Sequence, residues 1–123
     1  MSSIRSTKNR STEEVFARLL RDTHITGWRR HQRLPGKPDF TFQSQKLAVF
    51  IDGCFWHGCP KCYRLPEDNR IYWTTKLQLN RRRDKRNVRK LNAAGWKVIR
   101  VWEHTLKTEK GRLRVLRRVM SAM

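Results

Sequence analysis

The three cysteines of the chain lie within nine residues of one another, and this clustering constrains the fold more than any other feature. They occur in the segment Asp52–Cys62, which reads DGCFWHGCPKC. Thiolates at this spacing are typical of a tetrahedral zinc site that ties a loop to a small domain. The alternative is that the cysteines are small buried apolar side chains. The spacing favours the metal site, because two of the cysteines form a Cys-x₂-Cys pair.

A tetrahedral site needs a fourth ligand, and the chain has four histidines. His104 directly follows a predicted strand that ends near Trp102. If that strand lies beside the strand leading into Asp52, its end meets the start of the cysteine segment. The predicted ligands of a structural Zn²⁺ are therefore Cys54, Cys59, Cys62 and His104. His57 is the alternative fourth ligand.

Basic residues outnumber acidic residues by 29 to 10, and the formal net charge is +19. Such a chain binds polyanions, so nucleic acid is the first candidate partner and an anionic membrane surface is a weak second. No apolar run approaches the length of a membrane span, and the first residues lack the apolar segment of a signal peptide. An odd number of cysteines argues against a disulfide framework. We therefore expect a cytoplasmic protein.

The pattern of apolar residues predicts one α/β domain over residues 12–123, preceded by a mobile basic arm over residues 1–11. Ser11 or Thr12 is expected to cap a first helix that ends near Asp22. After a loop over residues 23–37, the predicted elements are strands at 38–42 and 47–51 joined as a hairpin, a helix at 70–94 ending at Gly95, a strand at 96–102 and a helix at 109–121. This order predicts an α/β sandwich.

Two acids occupy positions where a carboxylate is costly unless it is paired or binds a metal. Asp39 follows Pro38 at the start of an apolar strand. Many nucleases place a Mg²⁺-binding carboxylate in this way, and the ion stabilises charge on the phosphate oxygens, although Pro-Asp alone commonly marks a turn. Glu13 borders the apolar stripe of the first helix, whereas Glu14 points to its polar face. Glu13 is the predicted inward acid, and a first-turn acid favoured by the helix dipole is the alternative.

Two further candidates for the site are Asp84 and His57. Helical phase places Asp84 on the same face as Leu77, Val88 and Leu91, although a surface salt bridge is the plainer interpretation. An acid on that face needs a partner, either His57 or a basic side chain near the site. His57 itself can be a solvated loop residue, or it can take a proton from the water that attacks a phosphodiester.

Bulky aromatic residues stand in the basic segments, at Phe55, Trp56 and Trp73. Such side chains can wedge between base pairs, or they can pack in the core, and the sequence leaves both interpretations open. Basic side chains supply contacts to DNA phosphates that carry affinity but little sequence information. The candidates for such contacts are Lys37, Arg81, Arg82, Arg83 and Arg86.

Taken together, these residues resemble the very short patch repair endonucleases, which belong to the restriction-endonuclease-like PD-(D/E)xK nucleases. The matching pieces run in family order from about residue 4 to residue 107. They are Thr12-Glu13, residues 34–40 (LPGKPDF), residues 52–59 (DGCFWHGC), Tyr72-Trp73, residues 80–84, residues 94–98 and residues 101–103.

The resemblance implies a three-layer sandwich, with a mixed β-sheet flanked by helices and a structural zinc loop. It also implies a Mg²⁺-dependent endonuclease that nicks one strand beside a T·G mismatch left by deamination of 5-methylcytosine. The nick would carry a 5′-phosphate, and the expected partners are double-stranded DNA and either mismatch-repair proteins or a polymerase. The protein would be a prokaryotic, nucleoid-associated monomer. By the family pattern, Asp39 and the Ile51 carbonyl hold Mg²⁺, His57 is the general base and Glu13 is a supporting acid. Phe55, Trp56 and Trp73 match the intercalating aromatics.

The chain departs from the family pattern at three places. Asp52 stands where some members have a second active-site histidine, which leaves either metal binding or a supporting role open. Cys59 stands where some members have a run of histidines, and His104 stands where a member has cysteine. The DNA target is therefore open.

Two other functions compete with the mismatch endonuclease. One is a zinc-stabilised DNA-binding module without catalysis, and the other is a related nuclease that serves restriction or phage defence.

Overall fold

The computed structural model describes residues 2–53 and 68–123, with side chains from Thr12 onward in the first segment. The elements are α1 (Ser2–Asp22), β1 (Trp28–Arg30), β2 (Phe40–Phe42), β3 (Leu47–Asp52), α2 (Arg70–Ala93), β4 (Lys97–Trp102), a 3₁₀ helix (Glu103–Lys107) and α3 (Glu109–Ala122). Some predicted site residues lie outside the described residues. They are Cys54, Phe55, Trp56, His57, Cys59 and Cys62.

The described strands form one mixed sheet in the order β1-β2-β3-β4. Strands β1, β2 and β3 are antiparallel neighbours, which confirms the predicted hairpin of β2 and β3. Strand β4 lies parallel to β3, in a register that pairs Asp52 with Trp102. A parallel pair requires a long crossover, and α2 lies within it. This register confirms the expectation that the end of β4 meets the point where the cysteine segment leaves β3.

Strand β3 is buried on both of its faces, because helices cover both sides of the sheet. Residues of α1 and α3, among them Phe16 and Val119, pack on one face. Leu91 of α2 packs on the other face against Ala48 and Phe50. A strand enclosed in this way reads as a continuous apolar run rather than an alternating one. The predicted α/β sandwich with a mixed sheet between helices is confirmed.

The start of α1 differs from the prediction. The helix begins at Ser2, not at Ser11 or Thr12, although it ends at Asp22 as predicted. Residues 2–11 therefore continue the helical backbone, and the predicted helix start at Ser11 or Thr12 is wrong. The segment contains neither proline nor glycine, so a helix held by the packing of its later turns extends at little cost.

Two short elements were not predicted. Strand β1 lies within the expected loop over residues 23–37, and Trp28 pairs with Phe42 of β2. Three residues are too short to show a period, so the strand exists because β2 offers it a partner edge. The 3₁₀ helix after β4 carries His104 and buries Leu106 against the core.

Within residues 2–53 and 68–123, none of the helices combines the length and the apolar character that a membrane crossing requires.

Candidate active site

Asp39 and Ile51 meet where the β2–β3 hairpin borders a cleft. Asp39 directly precedes β2, and its Oδ2 accepts a hydrogen bond of 2.6 Å from the backbone N–H of Ile51. Because β2 and β3 are antiparallel, the start of β2 lies beside the end of β3. The bond fixes the carboxylate against the strand. The two groups that the sequence assigned to Mg²⁺ are thus neighbours.

Burial raises the pKa of Asp39 from its ordinary 3.8 to about 6. The Ile51 N–H and the charge of His31 lower this pKa, and the charges of Glu13 and Asp52 raise it. A divalent cation stabilises the ionised form of such a group. The metal-free carboxylate therefore gains electrostatic stabilisation when a cation binds beside it.

Asp39 and the backbone of Ile51 bring oxygen atoms to the cleft, and oxygen atoms are the ligands of hard divalent cations. Among residues 2–53 and 68–123, no group of three or more His, Cys, Asp or Glu side chains is placed to hold a metal ion. Mg²⁺ is commonly held by one or two carboxylates, with waters and substrate phosphates completing its shell. Asp39 and the carbonyl of Ile51 are oxygen donors of this kind.

Asp52 is held by an arginine that the sequence reasoning missed. Arg100 donates through Nε to Oδ2 and through Nη2 to Oδ1 of Asp52, each at 2.8 Å. Its Nη2 also lies 3.5 Å from Oδ1 of Asp84, and its guanidinium carbon lies 4.3 Å from the Phe50 ring centroid. Asp84 thus has the basic partner that its helical phase required. One sequence feature could have identified Arg100. It is a charged residue between the apolar residues Ile99 and Val101 of a strand, where a cation needs an acidic partner.

Glu13 is buried, as its helical phase predicted, and Glu14 is exposed. Oε1 of Glu13 lies 3.1 Å from Nη2 of Arg30 and 2.6 Å from Nε2 of His31. Glu14 pairs with Nη1 of Arg30 at 2.8 Å. Burial would lower the pKa of Arg30, but these hydrogen bonds and charges outweigh it and raise the pKa. No motif in the sequence singled out Arg30 or His31.

A cleft of about 570 Å³ joins the acids to basic side chains of α2. Its lining residues are Gly36, Lys37, Asp39, Phe50, Ile51, Asp52, Arg83, Asp84, Arg86, Asn87, Lys90 and Arg100. Gly36 has φ +79°, and a Cβ there would lie 3.0 Å from Nδ2 of Asn87 and 3.1 Å from the Phe50 ring. Glycine therefore allows the loop before Asp39 to approach α2 closely.

The other predicted site residues are more scattered. Arg81 lines a neighbouring cavity of about 230 Å³, which it shares with Asp52, Asp84 and Arg100. Arg82 is exposed on α2, and Trp73 is half-buried with its ring edge-on to Tyr72. Lys37, Arg83 and Arg86 line the main cleft, so half of the six predicted DNA contacts in the described residues lie beside Asp39.

The fold and this cleft define a nuclease-like α/β protein, and the comparisons identify its family. The sequence model of the family described as DNA mismatch endonuclease Vsr matches residues 1–64. The type II nicking enzyme V.XorIIP of Xanthomonas oryzae pv. oryzae is 41% identical over 108 residues, which cover 84% of this chain and 76% of that protein. The chain belongs to the Vsr family of DNA mismatch endonucleases.

Two other relatives show how much of the family's length is shared. The DNA mismatch endonuclease Vsr of Escherichia coli is 33% identical over 104 residues, covering 83% of this chain and 66% of that protein. The type II nicking enzyme V.NaeI of Lentzea aerocolonigenes is 54% identical over 68 residues, covering 55% of this chain and 41% of that protein. The chain thus spans between 41% and 76% of the length of these three relatives.

Proposed function

We propose that this chain is a Mg²⁺-dependent DNA endonuclease that nicks one strand beside a T·G mismatch. One observation supports this function most directly. Asp39, a carboxylate that burial keeps from ionising easily, is fixed against the Ile51 backbone in a cleft lined by basic side chains. A DNA-binding module without catalysis has no use for an acid in that place, since it repels the phosphates that the surrounding cations attract.

In this mechanism Asp39 and the Ile51 carbonyl would hold a divalent ion. When bound, the ion supplies Lewis-acid stabilisation of the charge that develops on the phosphate. His57 takes a proton from the attacking water, whose oxygen then bonds to phosphorus. The bond from phosphorus to the 3′-oxygen breaks, and the leaving oxygen takes a proton from solvent water, which leaves a 3′-hydroxyl and a 5′-phosphate.

We assign the remaining acids supporting roles. Both carboxylate oxygens of Asp52 are engaged by Arg100, which favours support over metal binding for Asp52. Asp84 contacts the same guanidinium and so links α2 to the end of β3. Glu13 contacts Arg30 and His31, and the backbone N–H of His31 donates to the Asp39 carbonyl.

Three aromatic residues are the proposed wedges beside the mismatch, and a structural zinc is the proposed anchor of the segment that carries two of them. The aromatics are Phe55, Trp56 and Trp73, and the zinc ligands are Cys54, Cys59, Cys62 and His104. The position of His104, just after the strand that pairs with β3, supports this ligand set.

Metal analysis of the purified protein is expected to find one zinc per chain, and a protein that folds and nicks without zinc would contradict the assignment.

A second candidate is a nicking enzyme with a different DNA target. It is favoured by the relatives described as type II nicking enzymes.

A panel of end-labelled duplexes separates the candidates. One set carries T·G in varied sequence contexts, one carries other mismatches, and one is fully paired. We expect nicks in one strand of T·G duplexes in a subset of contexts. Equal nicking of paired duplexes would favour the second candidate, and binding without nicking of any duplex would contradict both.

The basic wall of the cleft gives a prediction for DNA binding. Replacing Arg83 and Arg86 together with glutamine is expected to lower the slope of log K against log salt by about 2, because each phosphate contact releases about one counterion. Lys46→Gln is the control, since Lys46 is an exposed residue in the turn at the opposite end of β3. Fluorescence anisotropy across a salt series measures both. If the double variant and the control had equal slopes, α2 would not be the DNA-facing wall.

A further inference from the structure

The imidazole of His31 is held beside Asp39 by a buried carboxylate. Nε2 of His31 lies 2.6 Å from Oε1 of Glu13, whose side chain is 7% exposed, while the side chain of His31 is 62% exposed. The backbone N–H of His31 donates to the carbonyl oxygen of Asp39 at 3.3 Å. An exposed ring is therefore fixed at one nitrogen, directly across from the residue that we assign to the metal.

Charge balance alone does not explain this contact. Arg30 already donates to the same Oε1 of Glu13 at 3.1 Å, which gives the buried acid a cationic partner. One cation balances the charge of a buried carboxylate, and further hydrogen bonds then satisfy its remaining lone pairs. Arg30 therefore already balances the charge of Glu13. The shorter contact from Glu13 to His31 has a different effect, which is to orient the imidazole.

The backbone at His31 is also unusual. Its φ is +56°, in the left-handed region that residues other than glycine rarely adopt. Such strain persists where surrounding bonds determine the conformation, and it is concentrated at functional sites. Here the bonds to Glu13 and Asp39 determine it. Strain alone does not make a site, because His24 has φ +58° in the exposed turn after α1.

The surface around His31 suits a phosphate. Exposed basic side chains stand on both sides of it in the chain, at Arg29, Arg33 and Lys37, and Lys37 also lines the cleft that contains Asp39. A protonated imidazole donates through both ring nitrogens. With Nε2 turned to Glu13, Nδ1 is the nitrogen left for a ligand. A ring nitrogen that donates here, among basic side chains, suits a phosphate of the DNA backbone beside the cleft.

We propose that His31 is a substrate-contacting residue that binds a DNA phosphate next to the phosphodiester that is cut, and that Glu13 is its positioning residue. This inference rests on the proposed function and extends it. The bound group is a backbone phosphate, so the contact positions the strand over Asp39 without reading its sequence.

The matched pair His31→Asn and His24→Asn tests the proposal. Both histidines have left-handed backbones, and asparagine tolerates that conformation, so each change removes an imidazole with little added strain. DNA affinity is measured by anisotropy, with Ca²⁺ in place of Mg²⁺, from about 50 to about 200 mM salt. We expect His31→Asn to lower the salt slope by about 1 and to weaken binding about threefold to tenfold. His24→Asn should match the wild type, and neither variant should unfold, since Arg30 still pairs with Glu13.

A second comparison separates positioning from a purely structural role. Glu13→Gln is expected to weaken DNA binding in the wild-type background and to have no further effect in the His31→Asn background. Additive effects, or equal salt slopes for His31→Asn and His24→Asn, would overturn the proposal. The test is independent of the reaction itself. A wild-type protein that binds the duplexes without cutting them would contradict the proposed function, while the anisotropy comparison would still decide the role of His31.

Discussion

The Asp39→Asn variant is expected to lose Mg²⁺-dependent nicking by about a thousandfold or more and to be more stable than the wild type at neutral pH. The loss of activity follows because asparagine offers the metal no negative charge. The metal contributes several kcal/mol of charge stabilisation in the transition state, and about 4 kcal/mol corresponds to a factor of about a thousand. Asparagine keeps an oxygen that can accept the Ile51 N–H, so the local hydrogen bond survives.

The gain in stability follows from the raised pKa of Asp39, which is about 6 in the folded chain against an ordinary 3.8. Between these values the folded state binds a proton that the unfolded state has released. The stability contributed by this group is therefore fully present below about pH 4 and is lost as the pH rises through about 6. Above that range the ionised Asp39 lowers the free energy of unfolding by up to about 3 kcal/mol.

Urea unfolding in EDTA at about pH 4 and about pH 8 measures this difference. The free energies of unfolding of Asp39→Asn and the wild type should agree at the lower pH, and the variant should exceed the wild type by about 1 to 3 kcal/mol at the higher pH. A variant that is less stable at the higher pH would show that burial does not penalise the charge of Asp39. A variant that keeps its nicking activity would remove Asp39 from the metal site.

The Arg100→Met variant is expected to lose about 3 kcal/mol of stability. The change leaves Asp52, whose side chain is 9% exposed, without the guanidinium that engages both of its oxygens. Removing one partner of a buried ion pair typically costs about 3 to 5 kcal/mol, and the partial exposure of Arg100 places the effect near the lower end. The Asp84 contact and the packing against Phe50 are lost as well.

A double variant shows whether the pair is the cause. Asp52→Asn combined with Arg100→Met also removes the charge that has lost its guanidinium, so it should recover part of the lost stability. Lys97→Met is the control, because Lys97 is an exposed cation at the other end of β4, and it should change stability by less than about 0.5 kcal/mol. Urea unfolding with an unchanged m-value is the measurement. An Arg100→Met variant as stable as the control would mean that the pair with Asp52 does not hold the end of β3.

The parts of the fold that follow from local patterns were predictable from the sequence. Strand β3 is a continuous apolar run because both of its faces are covered, and α2 ends just before Gly95, whose φ of +88° suits the end of a helix. Helical phase also placed Glu13 toward the core and Asp84 toward a basic partner. The periodicity of apolar residues shows which side of a helix is buried. It therefore identifies the acids that face the core and need a partner there.

The missed features depend on contacts between residues far apart in the chain. Arg100 and Asp52 are 48 residues apart, and their pairing follows only from the parallel register of β3 and β4. His31 meets Glu13 because β1 pairs with β2, and β1 is too short to leave a pattern. The extension of α1 to Ser2 was missed because a capping residue at Ser11 or Thr12 permits a helix start without requiring one. The zinc ligands among the cysteines, the role of His57 and the domain boundary at residue 11 stay predictions.

A Mg²⁺ titration of single-turnover nicking tests the central claim most directly. The substrate is a T·G duplex with an end label on each strand in turn, and the proteins are the wild type, Asp39→Asn and the Lys46→Gln control. The account predicts that the wild type and the control nick one strand at a rate that rises with Mg²⁺ and falls to zero in EDTA. It predicts that Asp39→Asn stays inactive at every Mg²⁺ concentration. Nicking by the wild type in EDTA, or by Asp39→Asn at the wild-type rate, would contradict a metal-dependent nuclease site at Asp39.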